Sequence, residues 1–213
     1  LLLHQLLKER QDASDSVRLP LASHGGGYPM NELQEIFAAQ NMGPTAPIKA
    51  TWQVAVSASD VWAAISERGN LTNVHPFCAT NEVERWPGPG GCDHVRYYSG
   101  VHYQRDVLDW REGSGYDLIV GPPSHPTALA SWWIDPSSVT SCKFGIKVTS
   151  YVRSDVDPIA RENYEEKVIR TAIPPYLRGV VQGVAYYAET GDPVKRNQFG
   201  AHDIYSPEVP ARR

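Results

Sequence analysis

The chain has 213 residues, a formal net charge of −4 and 41% apolar residues, enough to bury a core as one domain of roughly 150 residues with extensions. The mild negative charge gives no reason to expect nucleic acid or an anionic membrane surface as partner. No apolar run approaches a membrane span, and Leu1-Leu2-Leu3-His4-Gln5 lacks the apolar core and cleavage site of a signal peptide.

Cys78, Cys92 and Cys142 are odd in number and show no Cys-x-x-Cys spacing. They fit reduced core residues of a cytoplasmic protein rather than a disulfide framework or a zinc site. The chain does not begin with Met, and Met30 would make a plausible natural start.

Residues 1–47 read as an extension. Leu2, Leu3, Leu6 and Leu7 make an amphipathic turn or two, and Gly25-Gly26-Gly27 ends a flexible connector. That connector lacks the Lys-Ser/Thr ending of a phosphate loop. Asn31 caps a helix to about Gln40, with Leu33, Ile36 and Phe37 on one face. That face can pack on the domain's own outer surface, cover a cavity mouth, or meet a second copy in a homodimer.

Ile48 to Val56 alternates strictly: Ile48, Ala50, Trp52, Val54 and Val56 are apolar, and Lys49, Thr51 and Gln53 are polar. This is a strand with one buried face. It runs into a helix capped by Ser59 or Asp60, with Val61, Trp62 and Ile65 inward. Leu71 to His75 is a second short helix stopped by Pro76, and Phe77 to Trp86 is a strand.

Cys92 to Trp110 is a hairpin around Ser99-Gly100. A two-residue turn pairs Tyr98 with Val101, Arg96 with Tyr103 and His94 with Arg105, putting those six on one face. Val95, Tyr97, His102 and Gln104 then share the other, and a one-residue slip exchanges faces. Strands follow at Tyr116–Val120, Ala128–Ile134 and Cys142–Val148. From Pro158 the period becomes helical, with a kink or split at Pro174-Pro175 and a stop at Gly191-Asp192-Pro193. Gly179 and Gly183 permit close approach to the sheet. Residues 191–213 read as a polar tail.

This element order resembles the START / polyketide cyclase superfamily (SRPBCC, helix-grip, pollen-allergen-like) over about 48–190. The matching residues are Ala58-Ser59-Asp60-Val61-Trp62, His75-Pro76, Gly90-Gly91 followed by Arg96, Asp109, and the run from Leu177-Arg178-Gly179-Val180 to Tyr186-Tyr187. The resemblance implies an α+β fold: a curved antiparallel sheet of six or seven strands around a long C-terminal helix, enclosing a deep cavity. It also implies a small hydrophobic or aromatic ligand. The family often carries Glu where Arg105 stands, so an internal ion pair cannot be assumed and an anionic ligand is the other reading.

On this scaffold His75 would sit at the cavity mouth, as proton carrier or as an exposed loop residue. Arg96 and Arg105 would hold a carboxylate, enolate or phenolate, or else face solvent or pair with Asp or Glu. Tyr98, Tyr103 and Tyr116 would line the cavity or serve as ordinary strand aromatics. Trp132, with room left by Ala128 and Ala130, would face the ligand, with Phe144 and Tyr176 completing the substrate-facing set.

No cofactor is expected. His94 and His102 fall on opposite faces of the expected hairpin, so no shared metal is expected either. The cluster motifs of Rieske oxygenases and a Gly-x-Ser-x-Gly elbow are missing. The function this implies is a cofactor-independent cyclase or dehydratase-like enzyme for a polyketide-like or aromatic substrate. The alternative is a non-catalytic binding or transfer protein, and a third reading is an interaction domain with a filled core.

Overall fold

The computed structural model describes residues 30–123 and 125–208. The early leucines and Gly25-Gly26-Gly27 lie outside the described residues. Helix α1 (Met30–Ala38) and strands β1 (Met42–Pro44) and β2 (Ile48–Val54) lead into the short helices α2 (Ala58–Ser66) and α3 (Leu71–Val74). Six strands follow: β3 (Cys78–Arg85), β4 (Cys92–Tyr97), β5 (His102–Arg111), β6 (Gly115–Gly121), β7 (Ala128–Ser138) and β8 (Ser141–Arg153). Helix α4 (Pro158–Tyr164), a π-helical stretch (Glu165–Arg170) and the long helix α5 (Ile173–Thr190) complete the order.

The sheet is antiparallel throughout, in the order β1-β8-β7-β6-β5-β4-β3, and β2 shares the outer edge of β8 with β1. Eight strands thus replace the expected six or seven, because β1 uses the far end of a 13-residue β8.

The opening strand behaves as its alternation requires except at Trp52. Val54 is fully buried and Ile48 and Ala50 pack on the core, but Trp52 is 41% exposed on this edge strand. The following helix is capped two or three residues earlier than expected, at Ser57. Ser57 accepts from the Asp60 amide while the Asp60 carboxylate accepts from the Ser57 amide, a capping box.

The β4–β5 turn has three residues, not two. Tyr97 N–H donates to Val101 O (2.8 Å) and Gly100 N–H to Tyr97 O (2.9 Å), leaving Tyr98, Ser99 and Gly100 in the loop. Gly100 has φ +89°, the left-handed residue that closes a three-residue hairpin. The register therefore slips by one: Asp93 faces Arg105, Val95 faces Tyr103 and Arg96 faces His102.

The helical run splits just before Pro174-Pro175, as expected: the π-helical stretch ends at Arg170, Thr171-Ala172 form a turn, and the prolines take the first turn of α5, where no intrahelical donor is lost. Gly179 and Gly183 let α5 approach the α3–β3 connection rather than the sheet. A Cβ at Gly183 would run into the Val74 carbonyl, and one at Gly179 would lie 2.8 Å from Phe77 Cζ.

The main core fills the space between the inner sheet face and α5. A second core lies on the outer sheet face, where Leu33, Phe37 and Met42 pack on Leu108, Ile119 and Tyr151. Phe37 stacks on Tyr151 with centroids 3.6 Å apart. The apolar face of α1 therefore covers the domain's own surface. The segment after α5 also packs down: Val194, His202, Tyr205 and Ser206 are buried, so it is not the expected polar tail. Among the described residues no helix is long and apolar enough to cross a membrane.

Candidate functional site

A cavity of about 500 Å³ opens between the inner sheet face and α5. Leu118, Val120, Ala130, Ile146 and Val148 form its sheet wall, and Ile169, Ile173, Leu177 and Val180 its helical wall. Polar groups gather where β4, β5 and the start of α5 meet.

Arg105 and Asp93 form the charged end. The slipped hairpin register puts them directly across from each other, and both are almost fully buried. Arg105 Nε donates to Asp93 Oδ1 (2.7 Å) and Nη2 to Asp93 Oδ2 (2.5 Å), a bidentate pair. Nη2 also reaches Asn70 Oδ1 at 3.4 Å. The guanidinium lies 5.3 Å from the Trp86 ring and 6.0 Å from Trp132. Its remaining nitrogen, Nη1, is buried with no partner among the described residues. Arg105 lines the cavity, and the Asp93 carboxylate holds its pKa above the usual arginine value against the opposing effect of burial.

His75 is not at the mouth. It ends α3, is 3% exposed and lines the cavity interior. Its Nδ1 accepts from Phe77 N–H (3.2 Å), so Nε2 carries the proton and donates to the Tyr176 hydroxyl at 3.0 Å. Burial, and then the charge of Arg105, lower its pKa to about 3. Tyr176 OH lies 2.8 Å from Tyr97 OH. Tyr205 packs on both rings, with centroids 4.7 Å from Tyr176 and 4.6 Å from Tyr97. Burial pushes all three phenols above the ordinary tyrosine range, so each is a neutral hydroxyl at pH 7.

The structure thus gathers His75, Arg105, Tyr103, Tyr176 and Trp132 around one cavity. It separates the others. Arg96 is exposed on the outer sheet face and Tyr98 is 38% exposed in the turn, where Arg196 lies 4.6 Å over its ring. The one-residue register slip carries both away from the cavity. Tyr116 and Phe144 are fully buried but belong to the core beneath the cavity: Tyr116 packs between Trp110 and Trp132, and Phe144 against Trp132.

Asp93, Tyr97 and Tyr205 are the residues that sequence reasoning missed. The signal for the first two was Gly100, whose left-handed conformation implies the three-residue loop and hence the register. Tyr205 carries no such signal. It reaches the cavity because the last segment straps back over it: Val194 N–H donates to Asn73 O, Asn197 N–H to Pro76 O, and Ser99 N–H to Tyr205 O. His202 Nε2–H, at 2.9 Å from Ala172 O, anchors the strap to the start of α5.

His94 and His102, expected on opposite faces, share the outer face with ring centroids 5.4 Å apart. Cys78, Cys92 and Cys142 are free thiols, and burial raises the pKa of Cys78 to about 12.

No protein-family model matches the chain, and no curated protein matches it. Solved structures do. Norcoclaurine synthase from Thalictrum flavum, truncated, aligns over 70% of this chain and 96% of its own at 14% identity, with a TM-score of 0.54. The same enzyme with dopamine and hydroxybenzaldehyde aligns over 81% and 95% at 13% identity and a TM-score of 0.53. A Staphylococcus aureus protein of unknown function aligns over 71% and 98% at 10% identity and a TM-score of 0.58. Sheet topology and the long C-terminal helix are what this chain shares with them. The chain has the helix-grip fold that these structures share.

Proposed function

We propose that this protein holds one small, largely apolar, aromatic or polyketide-like molecule in its cavity, with an acceptor oxygen of that molecule on Arg105 Nη1. The observation that carries this reading is that Arg105 lines a largely apolar cavity and keeps one buried guanidinium nitrogen, Nη1, without a partner among the described residues. A buried charged donor without an acceptor is costly, and a carbonyl, enolate or carboxylate oxygen would satisfy it. Trp132 and the phenols of Tyr97, Tyr103 and Tyr205 offer aromatic faces to a flat ligand.

Binding without chemistry is the better-supported form of this proposal. A general base or acid works best with a pKa near the working pH. His75 is far below it, Tyr97, Tyr176 and Tyr205 are above it, and both His75 ring nitrogens already have partners.

One observation favours the cyclase or dehydratase reading as a second form: Arg105 and the His75–Tyr176–Tyr97 hydroxyl chain lie at the same end of the cavity. In that case Arg105 Nη1 would stabilise the oxyanion of an enolate as it forms. The Tyr176 hydroxyl would give its proton to the departing hydroxide, forming water and a phenolate held by His75 Nε2–H, and the proton released from the substrate carbon would restore the phenol by way of water. Such an enzyme would need no cofactor for these steps.

The test is equilibrium binding of 2-naphthoate, followed through tryptophan fluorescence, to the wild type and to Ala130→Leu. Ala130 lines the cavity. Binding that Ala130→Leu abolishes, with the unfolding curve unchanged, supports the reading. Equal binding to both proteins sinks it. Turnover of a polyketone by the wild type that Tyr176→Phe removes would move the conclusion to the enzyme.

A further inference from the structure

The outer face of the β3–β4–β5 corner carries a second group of side chains that the cavity does not use. Glu84, Cys92 and His94 present a carboxylate oxygen, a sulfur and a ring nitrogen that all lie within 4.8 Å of one another. The backbone is shaped for this. Val83 pairs with Asp93 and Arg85 with Cys92, which leaves Glu84 as the extra residue of a β-bulge. A bulge turns its side chain away from the regular pleat, here toward β4. Glu84 Oε1 lies 2.8 Å from His94 Nε2.

Cys92 is 3% exposed and faces Asp106, its partner across β5. Gln104 Nε2 in turn holds both Asp106 oxygens, at 3.0 and 2.8 Å. Within this group His94 Nδ1 is buried and has no partner among the described residues.

We propose that Glu84, Cys92 and His94 form a zinc(II) site on the outer face of the sheet, with water in the fourth position. One sulfur, one imidazole nitrogen and one carboxylate oxygen are donor types that a borderline-soft, tetrahedral cation takes. On binding, the Cys92 S–H bond breaks, its proton passes to solvent and the sulfur–metal bond forms. The carboxylate and the thiolate balance the two positive charges. The ion would tie β3 to β4, and β4 presents Asp93 to Arg105 on the opposite face.

The experiment uses the full chain, stripped with a chelator and titrated with cobalt(II) chloride and then zinc chloride. The expected result is one equivalent of cobalt, with a thiolate charge-transfer band in the near ultraviolet and four-coordinate visible bands, displaced by zinc. Cys92→Ser removes the charge-transfer band. His94→Ala weakens binding by at least about tenfold, while Cys78→Ser, a core thiol on the other face, keeps the spectrum. Zinc raises the melting temperature of the wild type and not that of Cys92→Ser. Circular dichroism establishes that Cys92→Ser is folded. Absence of stoichiometric cobalt binding, a spectrum without the sulfur band, or binding indifferent to both Cys92→Ser and His94→Ala overturns the proposal.

Discussion

Replacing Asp93 by Asn leaves the shape of the Arg105–Asp93 pair and removes one of its charges. Both partners are almost fully buried, 4% and 1% exposed, and the pair is bidentate. Breaking such a pair leaves an uncompensated cation in the interior, which costs about 3–5 kcal/mol. The aromatic rings of Trp86 and Trp132 lie close enough to offset a small part, on the order of 1 kcal/mol. The net expectation is a loss of about 3 kcal/mol and a fall of roughly 10 °C in melting temperature for a domain of this size.

Reversible urea unfolding read through tryptophan fluorescence measures it, with an unchanged m-value as the sign of an unchanged mechanism. The double variant Asp93→Leu/Arg105→Met removes both charges and should recover most of the loss. An Asp93→Asn protein within about 1 kcal/mol of the wild type would refute the reasoning, because it would mean the pair is solvated.

Two further perturbations follow from the same geometry. His75 has a folded pKa of about 3 against an unfolded value of 6.5, so between those values the unfolded chain binds more protons than the folded one. Its contribution is intact above pH 6.5 and is lost as the pH falls toward 3, at up to about 1.4 kcal/mol per pH unit. Urea midpoints at several pH values should therefore fall less steeply for His75→Gln than for the wild type, and parallel curves would contradict the burial of a neutral imidazole. Gly183→Ala drives a methyl group into the Val74 carbonyl, a backbone atom that cannot swing aside. It should cost about 1–3 kcal/mol in urea unfolding, and a neutral result would mean that α5 does not approach α3 this closely.

Much of the fold was legible because its signals are local. Alternation in Ile48–Val54, the Pro76 stop and the helical period after Pro158 each reflect a few neighbouring residues. The hairpin register was not legible from alternation, because residues 92–105 carry polar and aromatic side chains on both faces. Asp93, Val95, Tyr97, Tyr103 and Arg105 point inward while His94, Arg96, His102 and Gln104 point out, and neither set is uniformly apolar. Only the turn geometry separates them. Tyr205 lies more than 100 residues from Tyr97, and a long-range contact of a polar segment leaves no periodic trace. Trp52 shows the converse limit: perfect alternation did not bury it, because an edge strand is paired on one side only.

The central claim is that Arg105 Nη1 receives an acceptor oxygen from a molecule in the cavity. The direct measurement compares 2-naphthoate with 2-methylnaphthalene, matched in shape and differing in the carboxylate, on the wild type and on Asp93→Leu/Arg105→Met. A hydrogen bond to a charged group is worth about 1.5–3 kcal/mol. The account predicts that the wild type prefers naphthoate by about tenfold to a hundredfold and that the double variant loses this preference while still binding methylnaphthalene. A preference for naphthoate that survives the loss of Arg105, or no preference in the wild type, would contradict it.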